Sequence, residues 1–199
     1  MYEVTQTEYE NVVGSNPSHF QGDVRQPVET VSWFDAVGFC NGLSERERIQ
    51  PYYKIDGGRV SIVGGVGFRL PTEAEWEYAC RAGTTTKWNF GDDETMLDGY
   101  ASYVGNSEGK VHEVGEKKPN LWGLYDMHGN VWELCWDWFH EYEAESVKDP
   151  MGRSNGEHRV LRGGAFSDPP RCLRSAYRSG RLPGDRSRYV GFRPARTCR

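Results

Sequence analysis

The chain contains no C-x-x-C pair, no Cys/His spacing that builds a zinc site and no apolar run of membrane-spanning length. These absences exclude a zinc module and a transmembrane helix. Internal repeats and low-complexity tracts are missing too, so a stacked repeat array is excluded. The five histidines, His19, His112, His128, His140 and His158, share no metal-ligand spacing. The Gly-rich run at 64–67 is not followed by Lys-Ser/Thr, and no serine stands in a nucleophile-elbow context. A phosphate loop and a serine hydrolase are therefore set aside. Lysine does not occur beyond residue 150. The opening Met1-Tyr2-Glu3-Val4-Thr5-Gln6 has none of the character of a signal peptide.

What is present is aromatic and glycine-rich. At 199 residues the simplest organisation is one domain over 1–199. Seven Trp, 11 Tyr and 24 Gly with little helical periodicity predict an irregular fold whose loops are pinned by aromatic clusters. The cysteines, Cys40, Cys80, Cys135, Cys172 and Cys198, are odd in number and irregularly spaced. That predicts free thiols in a reducing compartment, hence a cytoplasmic protein.

Charge is unevenly divided. Residues 1–150 hold 12 Lys+Arg against 26 Asp+Glu, whereas residues 151–199 hold 12 Arg and only Glu157, Asp168 and Asp185 as acids. An Arg-only tail is compatible with nucleic acid. Arginine's fork also pairs bidentately with carboxylates elsewhere in a fold, and a net charge of −5 repels phosphate, so internal pairing is preferred.

Three capping boxes announce helices. The first runs from Thr5 with Glu8 to Gly14. The second runs from Ser32 with Asp35 to near Leu43, with Phe34, Val37 and Phe39 as its apolar contacts. The third follows Pro71, from Thr72 with Glu75, burying Trp76 and Ala79 and stopping before Gly83. Helix signals then cease. Residues 84–120 read as ordered loop, because Trp88, Phe90, Tyr100 and Tyr103 need burial. Short strands are predicted at Val160-Leu161, Leu173 to Tyr177 and Val190 to Phe192, with Gly163-Gly164 as the bend between the first two.

The densest stretch is Gly123-Leu-Tyr-Asp-Met-His-Gly-Asn-Val-Trp-Glu133, which must turn at His128-Gly129-Asn130. Asp126, Glu133 and the turn carbonyls then converge either on a hard cation or, more plainly, on backbone N–H groups and arginines. Arg69-Leu-Pro-Thr-Glu-Ala-Glu-Trp-Glu-Tyr-Ala-Cys-Arg-Ala-Gly83 precedes this stretch; Arg159-Val-Leu-Arg-Gly-Gly164 and Gly191-Phe192-Arg193 follow it. In that order these motifs resemble the formylglycine-generating enzyme family, the sulfatase-modifying factors, over nearly the whole chain.

The resemblance implies an α+β, C-type-lectin-like domain with short helices and strands and much irregular loop, here lacking an N-terminal strand region. It implies a structural Ca²⁺ held by the Asp126 and Glu133 side chains and the Gly129 and Val131 carbonyls. A second family calcium site would begin near Ser102, but its acidic partner is not evident near Gly109. The family's oxidases turn a peptide cysteine into formylglycine with O₂ and a copper ion held by two cysteines after the Arg-Gly-Gly motif. Here those positions fall on Asp168 and near Pro170. That leaves Cys172 as the one thiol in the region, without a partner unless Cys198 reaches it, and copper is not expected. A disulfide from Cys80 in secreted relatives meets Pro194 here.

The expectation is thus a non-catalytic domain that recognises a protein or peptide through a C-terminal face, a segment that retroelements diversify in some members. Phe166, Asp168, Arg171, Arg181, Asp185, Arg188 and Tyr189 are expected to face the partner, while Arg162, Arg174, Arg178 and Arg193 prop the loops from within. Neither a membrane nor a nucleic-acid partner is expected; a fused or associated effector module is. The alternative is an oxygen-dependent oxidoreductase acting on a peptide cysteine through Cys172 and a non-standard copper site.

Overall fold

Each of the three α-helices begins at its capping box: α1 at Gln6–Val13 behind Thr5, α2 at Trp33–Arg46 behind Ser32, and a third at Glu73–Arg81 behind Thr72. In every case the cap hydroxyl accepts the N–H of the third helical residue and that residue's carboxylate returns to the cap N–H. The computed structural model describes residues 1–23, 25–142 and 148–197. The first helix stops at Gly14, which adopts φ 87°. The second continues past Leu43, and it buries Trp33, Val37 and Phe39 while Phe34 stays exposed. In the third helix Trp76 and Cys80 face inward and Ala79 is only half-buried.

Between the last two helices lie an antiparallel hairpin, β1 (Tyr53–Asp56) with β2 (Arg59–Ile62), and the two-residue strand β3 (Phe68–Arg69). The third helix is α3. Residues 84–120 are ordered loop as expected, interrupted by a 3₁₀ turn at Glu94–Gly99. Trp88 and Phe90 stack with ring centroids 5.7 Å apart, and Phe90 and Tyr100 stack at 4.4 Å. Aromatic burial holds this backbone where regular hydrogen bonding does not.

The principal sheet is built from the rest of the chain: β4 (Trp132–Trp138), β5 (Arg159–Arg162), β6 (Ser179–Arg181) and β7 (Val190–Gly191), in the order β6-β5-β4-β7. The β4–β5 and β5–β6 pairs are antiparallel, and β4–β7 is parallel. A short β8 (Ala195–Arg196) returns to pair with β3. The strand expected at Leu173 to Tyr177 is not formed. Pro170–Leu173 makes a 3₁₀ turn instead, because Pro169 and Pro170 withhold backbone donors, and the strand starts two residues after Tyr177. The mixture of short helices, short strands and long ordered loops is the expected α+β architecture.

The largest core cluster joins Val4, Tyr9, Trp33 and Phe39 to Leu134, Leu161, Val190 and Phe192. Both chain ends therefore meet at the sheet. Among the described residues no helix is long and apolar enough to cross a membrane.

Candidate functional site

The segment after β5 is positioned by two glycine-dependent contacts. Gly163 has φ 93°, and a Cβ there would lie 3.2 Å from Trp76. Its carbonyl accepts the Gly129 N–H at 2.9 Å. At Gly129 (φ 94°) a Cβ would stand 2.2 Å from the Ser102 carbonyl oxygen, so no side chain is accommodated. The predicted turn at His128-Gly129-Asn130 is therefore the clasp that joins the 84–120 loop, β4 and the C-terminal segment.

At the first oxidase position, Asp168 is half-buried. Its Oδ2 accepts the Ala165 N–H at 2.9 Å, and its backbone N–H donates to the Ala165 carbonyl. The carboxylate closes a turn. Pro170, at the second position, opens the 3₁₀ turn. Cys172 is buried among Trp88, Leu97, Ala101 and Leu173, and its thiol beside Tyr177 raises that phenol above its ordinary value. Cys40, Cys80, Cys135 and Cys172 are all free, buried thiols. Cys198 lies outside the described residues.

The proposed partner-facing residues divide in two. Phe166 is 1% exposed and packs edge-on to Phe20 (5.4 Å) and against Tyr189 (5.2 Å), so it supports the face rather than forming it. Asp168 is likewise occupied internally. Arg171, Asp185 and Arg188 are exposed, and Arg181 and Tyr189 are partly so. Arg181 and Asp185 approach to 3.6 Å, while Arg188 donates to the Tyr189 hydroxyl at 2.7 Å. Of the arginines expected as props, Arg162 pairs with Glu73 and Glu77, Arg178 holds both oxygens of Glu73 at 2.5 and 2.6 Å, and Arg193 holds Glu133. Arg174 differs. It is exposed, bonds the Arg171 carbonyl and lies over the Tyr177 ring, so it belongs to the outer face.

Asp126 and Glu133 do come together, in different company from that implied. Glu133 accepts from Arg193 at 2.5 and 2.7 Å on its two oxygens and from the Trp76 indole N–H at 2.8 Å. Asp126 accepts the Gly115 N–H at 2.7 Å. Beside them lies Glu3, fully buried, with neither carboxylate oxygen hydrogen-bonded to a donor. Burial first, and then the neighbouring Asp126 charge, raises Glu3 well above the carboxylate range. Burial likewise raises Asp126. Gly129 packs on Ser102 and Gly163, and Val131 on Val111, Ala165 and Phe166. As placed, the four residues do not fit a calcium ion, because both Glu133 oxygens are taken by a guanidinium that an ion would have to displace. Among the described residues no group of three or more His, Cys, Asp and Glu is arranged to hold a metal.

Sequence reasoning missed Glu3, which carries no spacing signal, and His128. The His128 Nδ1–H donates to the Leu173 carbonyl at 2.7 Å, and Nε2 accepts the Asn89 N–H at 3.2 Å. Burial lowers the imidazole to about 4, although the Leu173 carbonyl acts in the opposite direction.

The sulfatase-modifying factor enzyme 1-like domain model matches residues 1–198. A chaperone protein, LppX, of Paenibacillus barcinonensis is 38% identical over 170 residues, which is 69% of this chain and 60% of that protein. The formylglycine-generating enzyme of Streptomyces coelicolor is 35% identical over 195 residues, 89% of this chain and 55% of the enzyme. This chain thus spans somewhat more than half the length of either relative. Among solved structures, Treponema denticola variable protein 1 superposes with a TM-score of 0.92 at 38% identity, covering 97% of this chain and 81% of that one.

Proposed function

The chain belongs to the sulfatase-modifying factor family, and from that premise we propose that it is a non-catalytic recognition domain presenting its C-terminal face to a protein or peptide. The observation that carries this reading is Asp168. Where the oxidases place a copper-binding thiol, this chain has a carboxylate spent on closing its own turn. The similarity to a protein named as variable accords with a displayed, changeable segment. Arg171, Arg174 and Arg188 give the face positive charge, so the preferred partner is an acidic protein or peptide surface. A calcium ion is not needed for this role, since Arg193 already neutralises Glu133.

The relatives are longer than the matched region, which suits a domain carried beside an effector module. The competing reading, oxygen-dependent conversion of a peptide cysteine to formylglycine, is favoured by the named activity of the Streptomyces relative. It requires a second thiol beside buried Cys172.

Mass spectrometry separates the two. A sulfatase-type cysteine peptide is incubated with the reduced protein, Cu(I) and oxygen, alongside a Cys172→Ala control. The peptide is expected to remain a thiol. Aldehyde formation that disappears in the control would make the protein an oxidase and overturn the recognition reading.

A further inference from the structure

Among the described residues three arginines are buried: Arg159, Arg162 and Arg193. Arg162 meets Glu73 and Glu77, and Arg193 meets Glu133. Among the described residues Arg159 makes no salt bridge, and the acid whose charge reaches it is Asp137. One N–H donates to the Trp136 carbonyl, and its Nε is buried without an acceptor. A buried cation is normally paired, because desolvation costs several kcal/mol per ion. What holds this one is aromatic. Its guanidinium carbon lies 3.7 Å from the Trp33 ring centroid and 3.5 Å from that of Trp138, with Trp136 at 5.2 Å. The nearest acid on the same strands, Asp137, is turned to the Glu73 N–H at 2.7 Å.

Arg159 does not sit in closed core. It lines a groove of about 620 Å³ walled by Trp33, Phe34, Val60, Ile62, Trp136, Trp138 and Met151, between the start of α2, the β1–β2 hairpin and the end of β4. Phe34, Ile62 and Met151 are exposed apolar side chains on its rim. Arg59, also on the rim, is exposed and makes no ion pair among the described residues. Arg153 lines the groove as well, and an aromatic-walled groove with a buried guanidinium at its base and two further arginines in its lining has the composition of a site for a small acid.

We propose that this groove binds a small organic acid, a single carboxylate on an aromatic or branched apolar body, with the carboxylate on the Arg159 guanidinium and the apolar body along Trp136 and Trp138. The site is separate from the partner-facing segment and does not depend on how that segment is used. Trp33 and Trp138 cover the two faces of the guanidinium, so the acid approaches its edge. That geometry admits a planar carboxylate and discriminates against a neutral amide.

The test uses 3-phenylpropionate and 3-phenylpropanamide as probes, read by tryptophan fluorescence and by the indole N–H resonances of the full chain. The acid is expected to saturate and to bind about tenfold or more tightly than the amide, the difference a charge-assisted bond confers. Met151→Trp, placed on the exposed rim, should fill the groove and abolish acid binding while leaving the melting temperature unchanged. Arg159→Met should also abolish it, and the rim variant gives the answer if that protein does not fold. Equal affinity for acid and amide, no saturation by about 10 mM, or binding that survives Met151→Trp would each overturn the assignment.

Discussion

His128 and Asp137 impose opposite pH dependences on the same fold. His128 is held neutral at about 4, below its ordinary 6.5, so the unfolded chain takes up its proton first as the solution acidifies. Stability is lost as pH falls from 6.5 towards 4. Asp137, raised by burial from 3.8 to about 6, contributes stability that is fully present below 3.8 and lost as pH rises through 6. Each shift corresponds to roughly 3 kcal/mol. The two windows overlap between about pH 4 and 6 with opposite sign, so these two groups together are expected to give little net slope in urea melts across that range. Asp137→Asn should unmask the His128 loss, stability falling as pH drops below 6.5, and a profile unchanged by the substitution would refute the assignment. Glu133 offers a second test. Replacing it by Gln strands the Arg193 charge in the interior and should cost about 3–5 kcal/mol. With Arg193 already in place, millimolar calcium or a chelator is expected to leave the wild-type melting temperature unchanged. A calcium-dependent rise absent from Glu133→Gln would instead show an ion displacing the guanidinium.

Secondary structure was legible where its cause is local. A capping box is complete within four residues, so all three helix starts could be read directly, and Thr72→Ala should cost about 1 kcal/mol by thermal or urea melt. The central strand β4 escapes such a reading because in Trp-Glu-Leu-Cys-Trp-Asp-Trp the acids take buried positions and the tryptophans partly exposed ones, the reverse of the usual strand pattern. Its acids are buried: Glu133 on Arg193, which lies 60 residues later, and Asp137 on the Glu73 N–H, 64 residues earlier. Such partners have no spacing signature. The same limit explains the site residues. Arg162, Arg178 and Arg193 were identified as internal because motif position implies it, whereas Phe166 and Arg174 were placed on the wrong side of the surface. Either residue type occurs in a core or on a face, and only the Phe20 and Tyr189 rings around Phe166 decide the matter.

At the scale of the whole molecule, the acidic first three quarters and the arginine-rich last quarter fold as one unit. Glu73, Glu77 and Glu133 meet Arg162, Arg178 and Arg193, Asp35 meets Arg186, and β4 has β5 and β7 as its neighbours in the sheet. Residues 1–150 expressed alone should therefore lack a cooperative unfolding transition, with near-ultraviolet circular dichroism as the check. A cooperative melt would show that the C-terminal quarter is an appendage.

The buried thiols have a kinetic consequence. Burial raises Cys40, Cys80 and Cys135 above the ordinary thiol range, so none of them is an effective nucleophile while the structure is closed. Cys40 lies in the main core, whereas Cys80 and Cys135 sit under α3 with Trp76. Their rates of modification by a thiol reagent therefore time how often each region opens, so the unmodified protein carries its own clocks for breathing motions on two sides of the sheet.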